Sequence, residues 1–186
     1  MTQQIIPPSV DEPLVILVDT QDNEIGVAPK MQVHLDGVLH RAFSVFVFNS
    51  KGELMLQQRA FEKYHSGGLW TNTCCSHPAP GETNEQAAHR RLVEEMGFDC
   101  DLEHAFAFLY RTDFENGLTE HEYDHVFFGY DEPTPHLNPS EVADYRWISL
   151  PDLDRWMADK PEDFTFWFKH IYERVKAHLA KAGGHA

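Results

Sequence analysis

The stretch Trp70-Thr71-Asn72-Thr73-Cys74-Cys75-Ser76-His77-Pro78 places a thiol two residues from an imidazole. In an extended segment residues two apart point the same way, so Cys75 and His77 would face one site while Cys74 turns to the other side. A thiol beside a cation ionises more readily, and thiolate character decides whether a cysteine does chemistry or only fills space. Cys75 could therefore serve as an acid or base next to a metal ligand. The plainer alternative makes Cys74 and Cys75 small buried hydrophobes and His77 a turn residue ahead of Pro78.

Further chemistry-bearing residues lie on both sides. His34 and His40 flank Gly37 ahead of Arg41-Ala42-Phe43-Ser44-Val45-Phe46-Val47-Phe48, a run of β-formers that ends at the turn Asn49-Ser50-Lys51-Gly52. Both histidines are expected at the entrance to that strand. Asn116-Gly117 is a hairpin signal, and the segment from Leu118 to Phe128 reads as a strand. Its alternation puts Glu120, Glu122 and Asp124 on one face. Stacked carboxylates repel, so water or a cation must face them.

The elements that would position these groups include a well-marked helix. Thr83 and Gln86 form a capping signal, Gly97 is a natural C-cap, and Ala88, Leu92 and Met96 make an apolar stripe over residues 83–96. Arg91 and Glu95 are neighbours one turn apart. Either this is a solvated surface helix with a salt bridge, or it carries metal-binding carboxylates into a phosphate site.

Glu82, Arg90, Leu92, Glu94, Glu95 and Gly97 follow the spacing of the Nudix box, G-x5-E-x7-R-E-U-x-E-E-x-G-U. Ser76 stands at its first Gly and Arg91 at the Glu that follows its Arg. In hydrolytic members that Glu helps to bind metal and activate water, so a cation there argues against an ordinary pyrophosphatase. The departures fit one branch. Leu39-His40-Arg41-Ala42-Phe43-Ser44-Val45-Phe46, Gln58-Arg59-Ala60, Trp70-Thr71-Asn72, Cys75-x-His77-Pro78, Gly81-Glu82, Arg90-Arg91 and Glu120-His121-Glu122 together resemble type 1 isopentenyl-diphosphate Δ-isomerase, in order from about Lys30 to Phe128.

The resemblance implies that His34, His40, His77, Glu120 and Glu122 surround one divalent metal. A nitrogen and oxygen set without sulfur suits Mn²⁺, Mg²⁺ or a distorted Zn²⁺ site. It further implies a Mg²⁺ that arrives with the substrate diphosphate, held by Glu95 with help from the Cys75 backbone carbonyl. Lys30, Arg59, Lys63 and Arg91 match the diphosphate-binding cations, which turns Arg91 from a lost hydrolytic part into a phosphate clamp. The implied reaction moves an unactivated double bond through a carbocation-like state. Cys75 and Glu122 bracket the alkene, Tyr110 is hydrogen-bonded near the acid side, and Trp70 is one aromatic wall for the cation. A second aromatic comes from the C-terminal region, either Trp167 or Phe164.

Composition agrees with this reading. The 186 residues suffice for one domain with a substantial core, and no low-complexity linker divides them. Strands at about 13–20, 41–48, 53–59, 104–111 and 118–130, the helix 83–96 and a C-terminal helix at about 162–182 suggest an α/β (α+β) fold. The resemblance makes it a Nudix-like mixed β-sheet between helices, spanning 1–186, with its core at about 30–150 and a helical segment at about 150–182. Met1-Thr2-Gln3-Gln4-Ile5-Ile6-Pro7-Pro8 lacks the pattern of a secretion signal, and no apolar run could span a bilayer. Three cysteines, two adjacent, point to a reducing compartment, the cytoplasm. A formal charge of −15 disfavours nucleic acid and anionic membranes. The expected partner is a small-molecule prenyl diphosphate, bound by a monomer or weak homodimer. Rival readings are a Nudix hydrolase, which would want a Glu at position 91 and has no need of Cys75, and a non-catalytic binding module, which has no need of Cys75, Tyr110 and Glu122 together.

Overall fold

The structure, a computed structural model, describes residues 12–183. The N-terminal stretch Met1–Pro8, and with it part of the 1–186 domain expectation, lies outside the described residues. The elements run β1 (Leu14–Val18), β2 (Glu24–Pro29), α1 (Lys30–Asp36), β3 (His40–Phe48), β4 (Leu54–Arg59), β5 (Trp70–Thr71), β6 (Cys74–Ser76), α2 (Asn84–Met96), β7 (Leu102–Asp113), β8 (Thr119–Tyr130), β9 (Val142–Ile148), α3 (Leu150–Asp159), a 3-10 turn (Pro161–Asp163) and α4 (Phe166–Gly183).

β3 organises the sheet. It runs parallel to β8 from His40↔Glu122 to Phe48↔Tyr130, while β7 continues antiparallel on the far side of β8. Its neighbours leave almost none of it exposed. Alternation then sends Phe46 and Phe48 to a core shared with Leu54, Leu56, Val126 and Phe128 under α3 and α4. The odd positions Phe43, Val45 and Val47 join Met55, Phe127, Ala88, Leu92 and Met96 under α2. The mixed sheet is thus covered by helices on both faces, the pattern expected for buried parallel strands.

β3 and β4 pair at Phe48↔Leu54 and then separate, and the Trp70–Ser76 segment fills the gap. There β5 pairs with β4 and β6 with β3. Between these short strands the split backbones find side-chain partners, as buried peptide groups must. Thr73 Oγ1 accepts from Val47 N at 2.9 Å and donates to the Met55 carbonyl at 2.6 Å. Asn72 Nδ2 donates to the Cys74 carbonyl at 2.7 Å and to Val45 at 3.2 Å. This wedge opens the sheet and creates the cleft.

α2 begins and ends where its sequence dictates. Thr83 accepts from Gln86 N while the Gln86 side chain accepts from Thr83 N, a complete capping box. Gly97 closes it at φ 71°, where a Cβ would come within 2.2 Å of the His136 carbonyl oxygen, so only glycine fits. Two expectations need correction. His34 lies within α1, not at a strand entrance, because the chain makes a short helix between Pro29 and the left-handed Gly37. The last helix starts at Phe166 rather than near 162, because residues before it bridge to the wedge: Phe164 pairs with Trp70, and Thr165 N donates to the Trp70 carbonyl.

Candidate active site

On the face of β8 that carries Val126 and Phe128, the preceding same-face positions are Asp124, Glu122 and Glu120. On β3, the face of Phe46 and Phe48 continues back to Ser44 and His40. The parallel register sets His40 opposite Glu122. One core face thus turns polar at its end, where a cleft opens.

Three imidazoles and a carboxylate converge at its wall, His77 and Glu122 on the cleft lining and His34 and His40 buried behind them. His34, His40, His77 and Glu122 bring one ligand atom each to within 4.8 Å of one another. His40 Nε2 lies 3.2 Å from His77 Nε2, and His77 Nε2 lies 3.0 Å from Glu122 Oε1. Two rings are oriented from behind, His34 Nδ1 donating to the Lys30 carbonyl at 2.7 Å and His40 Nδ1 to Val38 at 2.9 Å. That fixes the tautomer and leaves each Nε2 lone pair facing the centre, the arrangement metal-binding histidines use. His34 Nε2 is buried with no protein partner, an orphan that a cation would satisfy. Burial holds His34 and His77 below the usual imidazole range, in the neutral form that binds metal. Glu122 has its tendency to rise on burial outweighed by His40 and His77, and stays well below the carboxylate range. The residues fit a divalent ion.

Glu120 stands beside this group rather than in it. Its Oε2 is 3.0 Å from Tyr110 Oη, whose other neighbour is Glu122 Oε2 at 2.6 Å. A hydroxyl has one proton to give. Burial and the neighbouring Glu122 charge push Glu120 well above its usual value, so a protonated Glu120 can donate to Tyr110 while Tyr110 donates to Glu122. Asp124, also raised by burial, accepts from Ser44 Oγ at 2.8 Å.

Cys75 lines the same cleft on β6, with its register partner Ser44 on β3, while Cys74 is fully buried in the α2-side core. The expected easing of Cys75 ionisation is corrected here: burial pushes the thiol up to about 12, against the pull of Arg59, because the low-dielectric wall outweighs nearby cations. Cys75 is therefore a thiol carrying its proton.

Lys30, Arg59, Lys63 and Arg91 all line the cleft. Arg59 is buried, with its guanidinium 5.1 Å over the Trp167 ring. Lys63 pairs with Glu141. Arg91 makes the one-turn ion pair with Glu95, at 2.6 Å, and still borders the cleft. Burial, then Lys63 and Arg91, lower Lys30 to about 8. Such mutual repulsion marks a place prepared for an anion. Glu95 is 4 % exposed and also accepts from Gln57 Nε2 at 3.0 Å.

Trp70 lies outside this lining. Its ring packs in the core at 5.5 Å from Trp156 and under Arg146 at 5.2 Å. Trp167 borders the cleft, whereas Phe164 is buried in the core at 1 % exposure. Sequence reasoning passed over Gln57, His65 and Glu141, and left Asp124 without a role. Asp124 alone carried a signal, its alternation with the two glutamates.

Residues 38–172 match the NUDIX domain family. An Aromatoleum aromaticum protein named isopentenyl-diphosphate Delta-isomerase 2 is 56 % identical over 164 residues, covering 88 % of this chain and 87 % of that protein. The chain belongs to the isopentenyl-diphosphate Delta-isomerases of the NUDIX superfamily. A further isopentenyl-diphosphate Delta-isomerase, from Pectobacterium atrosepticum, is 53 % identical over 161 residues, 87 % of this chain and 90 % of that one. Among solved structures, DR0079 from Deinococcus radiodurans has a TM-score of 0.66 at 20 % identity, covering 78 % of this chain and 89 % of that one. That likeness concerns the fold, a curled mixed sheet between helices, as expected for this isomerase family. The Glu82–Arg90 pair of the Nudix pattern is bidentate, at 2.6 and 2.7 Å, and ties the loop ahead of α2 to the helix.

Proposed function

We propose that this protein interconverts isopentenyl diphosphate and dimethylallyl diphosphate, a step of isoprenoid biosynthesis. The carrying observation is the convergence of a thiol, Cys75, and a Tyr110-bonded carboxylate, Glu122, in one cleft rimmed by cations. His34, His40, His77 and Glu122 would hold a divalent ion, Mn²⁺, Mg²⁺ or Zn²⁺, with Glu120 at its flank, and Glu95 with the Cys75 carbonyl would hold a Mg²⁺ brought by the diphosphate. When bound, the first ion supplies positive charge that orients Glu122, and the second neutralises phosphate oxygens.

Lys30, Arg59, Lys63 and Arg91 receive the diphosphate. Lys63 and Arg91 exchange part of their pairing with Glu141 and Glu95 for phosphate oxygens. This leaves the five-carbon chain between Cys75 and the Tyr110–Glu122 pair. One carrier gives a proton to the terminal methylene, forming a C–H bond and a tertiary cation. The other takes a proton from the carbon next to the cationic centre, and that C–H electron pair becomes the new double bond. No net oxidation occurs, and the reverse reaction exchanges the two roles. The Trp167 face shelters the cation.

We place the enzyme in the cytoplasm as a monomer or weak homodimer that engages neither nucleic acid nor membrane. All three cysteines are free thiols, the net charge is −15, and no helix among the described residues is long and apolar enough to cross a membrane. The test is product analysis after incubation with isopentenyl diphosphate and a divalent metal. Dimethylallyl diphosphate is expected. Release of phosphate would indicate a hydrolase, and unchanged substrate a binding module.

A further inference from the structure

The loop joining β4 to β5, residues 60–69, brings a buried histidine to the cleft. His65 is 9 % exposed and lines the site. The backbone bends to put it there. Ser66 has φ 53°, left-handed despite its side chain, and a Cβ at Gly67 would meet the Phe61 carbonyl oxygen at 2.4 Å. A side-chain-bearing residue stays in that region only where its surroundings hold it, and such sites gather where function needs a fixed geometry.

Three groups of the proposed site touch this one residue. The imidazole is edge-on to Trp167 at 5.8 Å and stacked on Phe114 at 5.2 Å. Its carbonyl accepts from Arg59 Nη2 at 3.3 Å, and Arg59 in turn lies over Trp167 at 5.1 Å. Its Nε2 faces Glu120 Oε1 at 3.6 Å. His65 therefore stands where the diphosphate anchor meets the aromatic wall.

We propose that His65 is a positioning residue that holds Trp167 and Arg59 in fixed relation, so that an anchored diphosphate sets its hydrocarbon against the indole face. Packing does this work, through the ring and the main-chain carbonyl. The wall acts on the cation and hardly on the neutral alkene, so a displaced indole lowers kcat more than it raises KM. The inference rests on the proposed function.

The test is a double-mutant cycle on isopentenyl diphosphate turnover with His65→Ala, Trp167→Phe and the pair. His65→Ala should lower kcat by roughly tenfold to a hundredfold, as a small misplacement does, with KM changed by less than about threefold. In the Trp167→Phe background the same change should cost far less, because the two residues act as one unit. His65→Phe, which keeps a ring between Phe114 and Trp167, should recover most of the lost kcat. Should His65→Ala fail to fold, His65→Gln fills the space without a ring and should show the same kcat loss. Wild-type kcat in His65→Ala or His65→Gln, or simple additivity with Trp167→Phe, would overturn the role of His65 while leaving the isomerase reading intact. A wild-type protein that does not isomerise would overturn both.

Discussion

Tyr110 Oη sits 2.6 Å from Glu122 Oε2, and neither side chain reaches solvent to any extent, at 5 % and 6 % exposure. The hydroxyl therefore governs where a proton on this side of the cleft can rest. Tyr110→Phe keeps the ring stacked on Phe108 but removes the hydroxyl that lies between Glu120 and Glu122. We expect kcat to fall roughly a hundredfold or more, the scale of acid–base assistance, and the fold to lose about 1–3 kcal/mol for buried acceptors left unpaired. Steady-state kinetics with thermal unfolding checks both, and an unchanged kcat removes Tyr110 from the mechanism.

Metal and activity should be lost together. His77→Ala or His40→Ala removes a nitrogen from the His34, His40, His77, Glu122 group, so bound metal measured on the purified protein should drop in step with turnover. Chelation of the wild type should abolish activity and Mn²⁺ or Mg²⁺ restore it. Full metal content in both variants would show the ion lies elsewhere.

The adjacent cysteines should separate cleanly. Cys74 is fully buried against the α2 layer, so Cys74→Ala should keep most turnover while losing about 1 kcal/mol of stability as a small cavity forms. Cys75→Ala should nearly abolish isomerisation with metal content and melting temperature held. Equal rates in Cys75→Ala and wild type would defeat the two-carrier mechanism.

If Lys30 receives the diphosphate as proposed, substrate capture should depend on pH. Burial first, and then Lys63 and Arg91, lower its ammonium to about 8, so the charge is present below that pH and lost as pH rises through it. In kcat/KM, which reports the free enzyme, activity should decline on that alkaline side. Lys30→Arg stays charged and should move the limb upward. A limb at the same pH in both proteins would assign it to another group.

Much of this site is local in the sequence and hence readable there. The two-residue alternation of Glu120, Glu122 and Asp124 needs only an extended backbone, and the α2 boundaries follow from Thr83, Gln86 and Gly97. Other features depend on how distant strands separate. Gln57 meets Glu95 only because the Thr73 wedge parts β3 from β4, and Glu141 reaches Lys63 and Arg91 from a loop with no pattern of its own. Trp70 has the composition of a wall, yet the bridge between its backbone and Phe164 turns it into the core and leaves Trp167 at the cleft. α1 has seven residues and no side-chain cap, too little periodicity to stand out, which is why His34 reads as strand-adjacent.

The most direct test of two separate proton carriers is turnover of isopentenyl diphosphate in D₂O, with the dimethylallyl diphosphate examined by NMR. On this account the Cys75 thiol exchanges its proton with solvent before substrate binds and the ionised Glu122 takes a different one, so the proton added is not the proton removed. Deuterium should therefore appear in the newly formed methyl group after a single turnover. Product formed at the normal rate without deuterium there would mean that one group carries the same proton across, and would contradict the account.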